Sequence, residues 1–181
     1  LLTIADLLPR LHDPRDGVAE DAAYRFAGLA HRGIAPDQAA TFTTAAIALL
    51  DHPRPRVSMY GLGVLAHVDA PVLVERLWAL ARGDEAILRF GACRALLRQD
   101  RAAGLAALVE LTRHADPFVR QDAARMLGEL GDARVKPALE RLLDDEIKPF
   151  ERTATGTRSN VYRVCDTARM AIEAIERRVR A

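Results

Sequence analysis

The chain has 181 residues, with 26 Lys+Arg against 25 Asp+Glu, and 50% of it is hydrophobic. That length suits one domain or one compact array of repeats, and the apolar content excludes wholesale disorder. A net charge of +1 excludes a strongly basic nucleic-acid module on composition alone, and no apolar run approaches the roughly 18 residues of a membrane span.

In chain order, residues 1–12 predict a short helix interrupted by Pro9. It reads as the second half of a repeat; left uncovered, its Leu7, Leu8 and Leu11 would promote self-association through the N-terminal helix. Helical hairpins are then expected at about 15–50, 53–82, 84–114 and 116–144, together an array over residues 1–145. Residues 146–159 break the period as a loop, and residues 160–181 supply a closing helix of the same array.

The fourth hairpin shows why. Asp116 can cap a helix whose first position is Pro117, where a missing N–H costs nothing. Apolar residues then fall at Val119, Ala123, Met126, Leu127 and Leu130, the period of one buried helix face. Gly131 ends that helix and Asp132 caps the next, whose face is Val135, Ala138, Leu139, Leu142 and Leu143. The same pattern recurs 31 and 62 residues upstream, 39 further upstream for the first hairpin, and 45 downstream for the closing helix. One column is apolar throughout (Val18, Val57, Leu88, Val119, Val164) and the next is always small (Ala22, Gly61, Ala92, Ala123, Ala168). A large column follows (Phe26, Leu65, Leu96, Leu127, Ile172). Small residues let helices approach closely while large ones fill the space beside them, and only stacked copies bury such a face.

At these residues the chain resembles HEAT repeats of the short bacterial kind, the type also found in phycobilin lyases. Residues 116–143 carry the pattern in full: Asp-Pro-x-Val-Arg, then Ala-Ala-x-x-Leu-Gly-x-Leu-Gly-Asp, then Pro137-Ala138-Leu139 and Leu142-Leu143. The resemblance implies an all-α fold, an α-solenoid of four to five stacked helical hairpins. It departs from the family at the ladder arginine: Arg89 and Arg120 match, whereas Ala19, Ser58 and Cys165 stand in that column elsewhere, so a continuous Asp–Arg ladder is not expected.

Chemistry is sparse in this sequence. His12, His31, His52, His67 and His114 never pair at the spacing that puts two ligands on one helix face, and neither a Gly-x-Ser-x-Gly elbow nor a Gly-rich phosphate loop occurs. No catalytic, cofactor-binding or metal-ligating residue is assigned. Cys93 and Cys165 read as small buried hydrophobes, and two cysteines make no disulfide framework, which suits a reduced, cytoplasmic compartment.

The partner-binding candidates are of two kinds. On successive second helices Trp78 aligns with Ile47, Val109 and Glu140, and one turn earlier Val74 aligns with Thr43, Leu105 and Lys136. The resemblance implies that second helices line the concave face, which would put Val74, Trp78, Leu105 and Val109 in an apolar strip there; a register shift of one residue would instead pack them between repeats. The other candidates, Phe150, Arg152 and Arg158, lie in the period-breaking segment of a C-terminal stretch (146–181) with eight basic and five acidic groups. Cations on second helices, among them Arg76, Arg82 and Arg113, stand among Glu75, Glu110 and Glu140, a mixture that does not favour nucleic acid. The favoured reading is therefore a non-catalytic scaffold binding a protein or peptide. The alternatives are a HEAT-like enzyme or enzyme subunit of the lyase kind and a nucleic-acid-binding helical repeat protein.

Overall fold

Caps and prolines decide where the helices of this chain begin. In a computed structural model that describes residues 3–15, 17–153, 156–159 and 162–180, and side chains outside 150–161, nearly all regular structure is helical. The chain divides into two compact units, 1–104 and 105–181.

The N-terminal unit opens with α1 (Ile4–Leu7), held by a reciprocal box in which Thr3 Oγ1 accepts the Asp6 N–H and the Asp6 carboxylate accepts the Thr3 N–H. A single 3-10 turn containing Pro9 comes next. Leu7 and Leu11 are each 1% exposed, already covered inside the unit, while Leu8 is half-buried. The apolar surface expected to drive self-association through this helix is thus largely consumed within the fold.

Helices α2 (Val18–Arg32), α3 (Ala39–Leu49), α4 (Pro55–Leu65), α5 (Val74–Arg82) and α6 (Ala86–Gln99) complete the unit, and α7 (Arg101–Leu111) begins in it. First helices stack in the order α2, α4, α6, while α3 packs on α4 and α5 on α6. Phe26 of α2 and Phe42 of α3 stack at 4.7 Å between ring centres and are fully covered. The small column is buried as its residues predict, Ala22 at 1% and Ala92 at 0% exposure. A Cβ built at Gly61 would lie 2.8 Å from the Leu49 Cβ and 3.0 Å from the Ala46 carbonyl, so α3 and α4 meet at a distance only glycine permits.

The C-terminal unit holds the rest of α7, α8 (Pro117–Leu130), α9 (Lys136–Glu140) and α10 (Val164–Arg180). Asp116 caps α8 by accepting the Phe118 N–H, and Asp132 accepts the Arg134 N–H ahead of α9. Helix α10 packs on α8 and α9, where the Gly128 site would put a Cβ 2.7 Å from that of Ala171. Ile172, assigned to the large column, is half-buried; Ile175, at 1% exposure, faces the core instead. Lys136 Nζ pairs with Glu176 at 2.6 Å, and Arg178 donates to the Gly131 carbonyl at the end of α8.

The segment expected as a loop, 146–159, contains a two-stranded antiparallel hairpin, β1 (Phe150–Thr153) with β2 (Gly156–Ser159). Its strand residues are short of the apolar alternation that announces a buried strand, which is why sequence pattern does not reveal it. The excursion closes at its base: the Val164 N–H donates to the Ile147 carbonyl and the Cys165 N–H to the Asp145 carbonyl. The repeat therefore resumes where it left off, and the longer spacing before the closing helix is an insertion.

The ladder column has a common use that residue identity hides. Ser58 Oγ donates to the His52 carbonyl, Arg89 to the Gly83 carbonyl and Arg120 to the His114 carbonyl, each six residues back in the turn before its own helix. Arg120 adds the Ala115 carbonyl and an ion pair to Asp145 at 2.8 Å, with both side chains 14% exposed.

Substitutions test this packing. Gly61→Ala should destabilise the chain by about 1–3 kcal/mol because backbone must move. Gly63→Ala, on the exposed side of the same helix and 4.0 Å from the Ala27 Cβ, should stabilise it by about 0.5–1 kcal/mol, both read from urea unfolding by circular dichroism. Arg120→Met should cost about 3 kcal/mol by stranding Asp145 and two carbonyls, whereas Ser58→Ala should cost about 1 kcal/mol; equal losses would refute the shared role with unequal bonding.

Candidate partner-binding surfaces

On α5 the buried face is Leu77 and Ala81, and Val74 and Trp78, one turn apart, lie half-buried along its border. Arg82 lies one further turn along, its guanidinium carbon 4.3 Å from the centre of the Trp78 ring. Val72, in the turn before the helix, is 85% exposed. Sequence alone counts Arg82 among the groove cations and does not single out Val72. The i, i+4 spacing of Trp78 and Arg82 is the available signal, since helical neighbours at that distance meet.

Leu105 and Val109 lie on α7 in the C-terminal unit. Leu105 is 5% exposed and belongs to the core, so it offers no surface to a partner; Val109 is half-buried. The expected four-residue strip is therefore reduced to Val74 and Trp78 in one unit and Val109 in the other. Sequence leaves Leu105 open between groove and packing because α7 is apolar on nearly every side, with no polar stripe to orient it.

In the hairpin the register pairs Phe150 with Ser159, Arg152 with Thr157, and Glu151 with Arg158. The side chains of these three hairpin candidates lie outside the described residues.

Two grooves are not foreseen from sequence. One of about 810 Å³ runs between α8 and α10, over Gly128, Ala171 and the half-exposed Met170 and Tyr162. The other, about 480 Å³, lies between Leu8 and the Thr41, Thr44 and Ala48 face of α3.

The groups that could do chemistry are otherwise engaged. Burial pushes the Cys93 thiol up to about 12, against a small opposing effect of Arg89, and Cys165 is 1% exposed. Histidines that helix spacing keeps apart do meet between repeats, His12 with His52 at 6.3 Å and His31 with His67 at 5.5 Å between ring centres. No group of three or more His, Cys, Asp or Glu with metal-holding geometry occurs among the described residues. No helix among them is long and apolar enough to cross a membrane.

Stacked first helices, a buried small column and repeated turn-carbonyl capture describe one known architecture, and residues 73–156 match the family model for HEAT repeats. Residues 73–156 carry HEAT repeats. Two engineered proteins known from crystal structures superpose on it with TM-scores of 0.54 and 0.55, at 18% and 21% identity. Each alignment covers 97% of this chain, and 80% and 81% of the respective neighbour. A designed armadillo repeat protein gives a TM-score of 0.50 at 18% identity, covering 95% of this chain and 82% of that one. At such identities the likeness is one of fold, an α-helical repeat array. No curated protein matches the chain.

Because Trp78 is the sole tryptophan, its shielding by Arg82 can be measured directly. Arg82→Ala should raise the acrylamide quenching constant of the native fluorescence about twofold or more while leaving the helical circular dichroism unchanged. An unaltered quenching constant would show that the guanidinium does not cover the ring.

Proposed function

We propose that the chain is a non-catalytic HEAT-repeat scaffold that binds a protein or peptide, with Trp78 on α5 as the anchor of the bound segment. The observation that carries this reading is an aromatic ring left half-buried on α5, with an arginine stacked on it. Tryptophan and arginine are the residue types that most often dominate binding energy when a partner covers them. Val74, one turn earlier, extends the apolar area on α5. The helices supply rigidity: little order remains to be imposed on binding, so less of the contact energy is lost to ordering. The two buried, unpaired thiols suit a reducing cytoplasm.

The test is affinity capture from the source cell's lysate with wild type and Trp78→Ala, after melting curves show that the variant folds. Wild type should retain a partner that the variant loses by tenfold or more, and the retention should change little between low and physiological salt. A partner held equally by both proteins would move the site away from α5, and capture that collapses with salt would replace a protein partner with nucleic acid.

A further inference from the structure

Four of the five histidines sit at one seam of the N-terminal unit, where α2 packs on α4. His12 precedes α2 and His52 precedes α4; their rings lie 6.3 Å apart. At the far ends of the same two helices, His31 and His67 meet edge to face at 5.5 Å. Between the two pairs the seam is held by Tyr24 against Tyr60 at 5.7 Å and by Glu20 with Arg56 at 3.0 Å.

The chemistry of each pair favours unprotonated rings. His52 Nδ1 accepts the Arg54 N–H at 3.1 Å, a bond that protonation of that nitrogen abolishes. Arg54 itself reaches across to the Arg15 and Pro14 carbonyls of the N-terminal segment, so the same turn ties that segment to α4. The acids flanking this cluster are bound to other cations, Asp13 to Arg15 and Asp51 to Arg76. At the other end Arg98 of α6 adds a positive charge beside His67, balanced by Asp69 at 2.8 Å.

We infer that this seam is a proton-sensitive joint: acidification from neutral pH charges His52 and His67 and loosens α2, with the segment before it, from α4. A charged ring replaces a neutral one in the contact at each end of the seam, and the turn before α4 loses its imidazole cap. Partial desolvation, then the partner histidine, then a nearby arginine holds the half-buried His52 and the exposed His67 below the ordinary imidazole value of 6.5. Neutral rings are favoured in the fold, so their contribution is complete above about 6.5 and is lost as pH falls from there toward the lowered native values. The lowered carboxylates of Asp13, Asp166 and Glu176 start from values of 3.8, 3.8 and 4.5 and titrate below this window.

The test compares the full chain with the double variant His52→Asn/His67→Gln. The asparagine keeps an acceptor for the Arg54 N–H, and neither amide takes up a proton in this range. His114, whose Nδ1 accepts the Asp116 N–H in the other unit, is left in place in both proteins. Between about pH 7.5 and 5.5 the wild-type melting temperature should fall by about 1–3 °C, and that of the variant by less than half as much. In wild type, proton NMR should show two histidine rings titrating below 6.5, and the amides of α2 should lose exchange protection before those of α6. Equal pH dependence in the two proteins, or His52 and His67 titrating at or above 6.5, overturns the proposal. If the variant melts too early to compare, the wild-type titration and the order of amide exchange decide it alone.

Discussion

The distance between neighbouring helices governs both units. Where α3 meets α4 and where α8 meets α10, backbones approach so closely that a single methyl group at Gly61 or Gly128 would strike a neighbouring Cβ. That approach lets the large residues beside the small column interlock, with Leu65 and Leu96 in one unit and Leu127 in the other at 0% exposure. No buried side-chain nitrogen or oxygen among the described residues lacks a hydrogen-bond partner. The close contacts are therefore not obtained by stranding polar groups.

Arginine does much of the work at the edges of this packing. Arg54, Arg89, Arg120 and Arg178 each donate to main-chain carbonyls at turns or helix ends, where helices leave acceptors without intrahelical partners. The planar, permanently charged fork suits that task better than an ammonium, since one side chain can span two carbonyls, as Arg120 does with His114 and Ala115. Gln99 does the same without charge at the end of α6, donating to the Leu65 and Val68 carbonyls and accepting from the Ala70 N–H. Of the 26 basic residues 24 are arginine, and these positions give the bias a structural use.

What was legible in the sequence is what local pattern encodes. The caps at Asp116 and Asp132, the small column and the buried face of each first helix follow from spacing along one helix, and the structure has them in place. The unreadable features depend on residues brought together from different repeats or on chemistry shared by unlike side chains. Ser58 and Arg120 perform one task with no resemblance in sequence. His31 and His67 are partners that no i, i+4 rule would join. Leu105 stays open between groove and packing in sequence because the uniformly apolar α7 gives no direction to its faces, and the hairpin at 150–159 is hidden by its polar strands. The α5 site lies between these cases: Trp78 stands out in sequence, while Arg82, its helical neighbour, shows its charge there and not its reach.

The insertion between α9 and α10 leaves the repeat and returns to it through two adjacent hydrogen bonds, at the Asp145 and Ile147 carbonyls. A detour that starts and finishes at one point transmits nothing of its own length to the helix beyond it. Helix α10 starts from that base already beside α8, where Gln121 donates to the Tyr162 carbonyl, so the length of the segment adds no separation between the helices it joins.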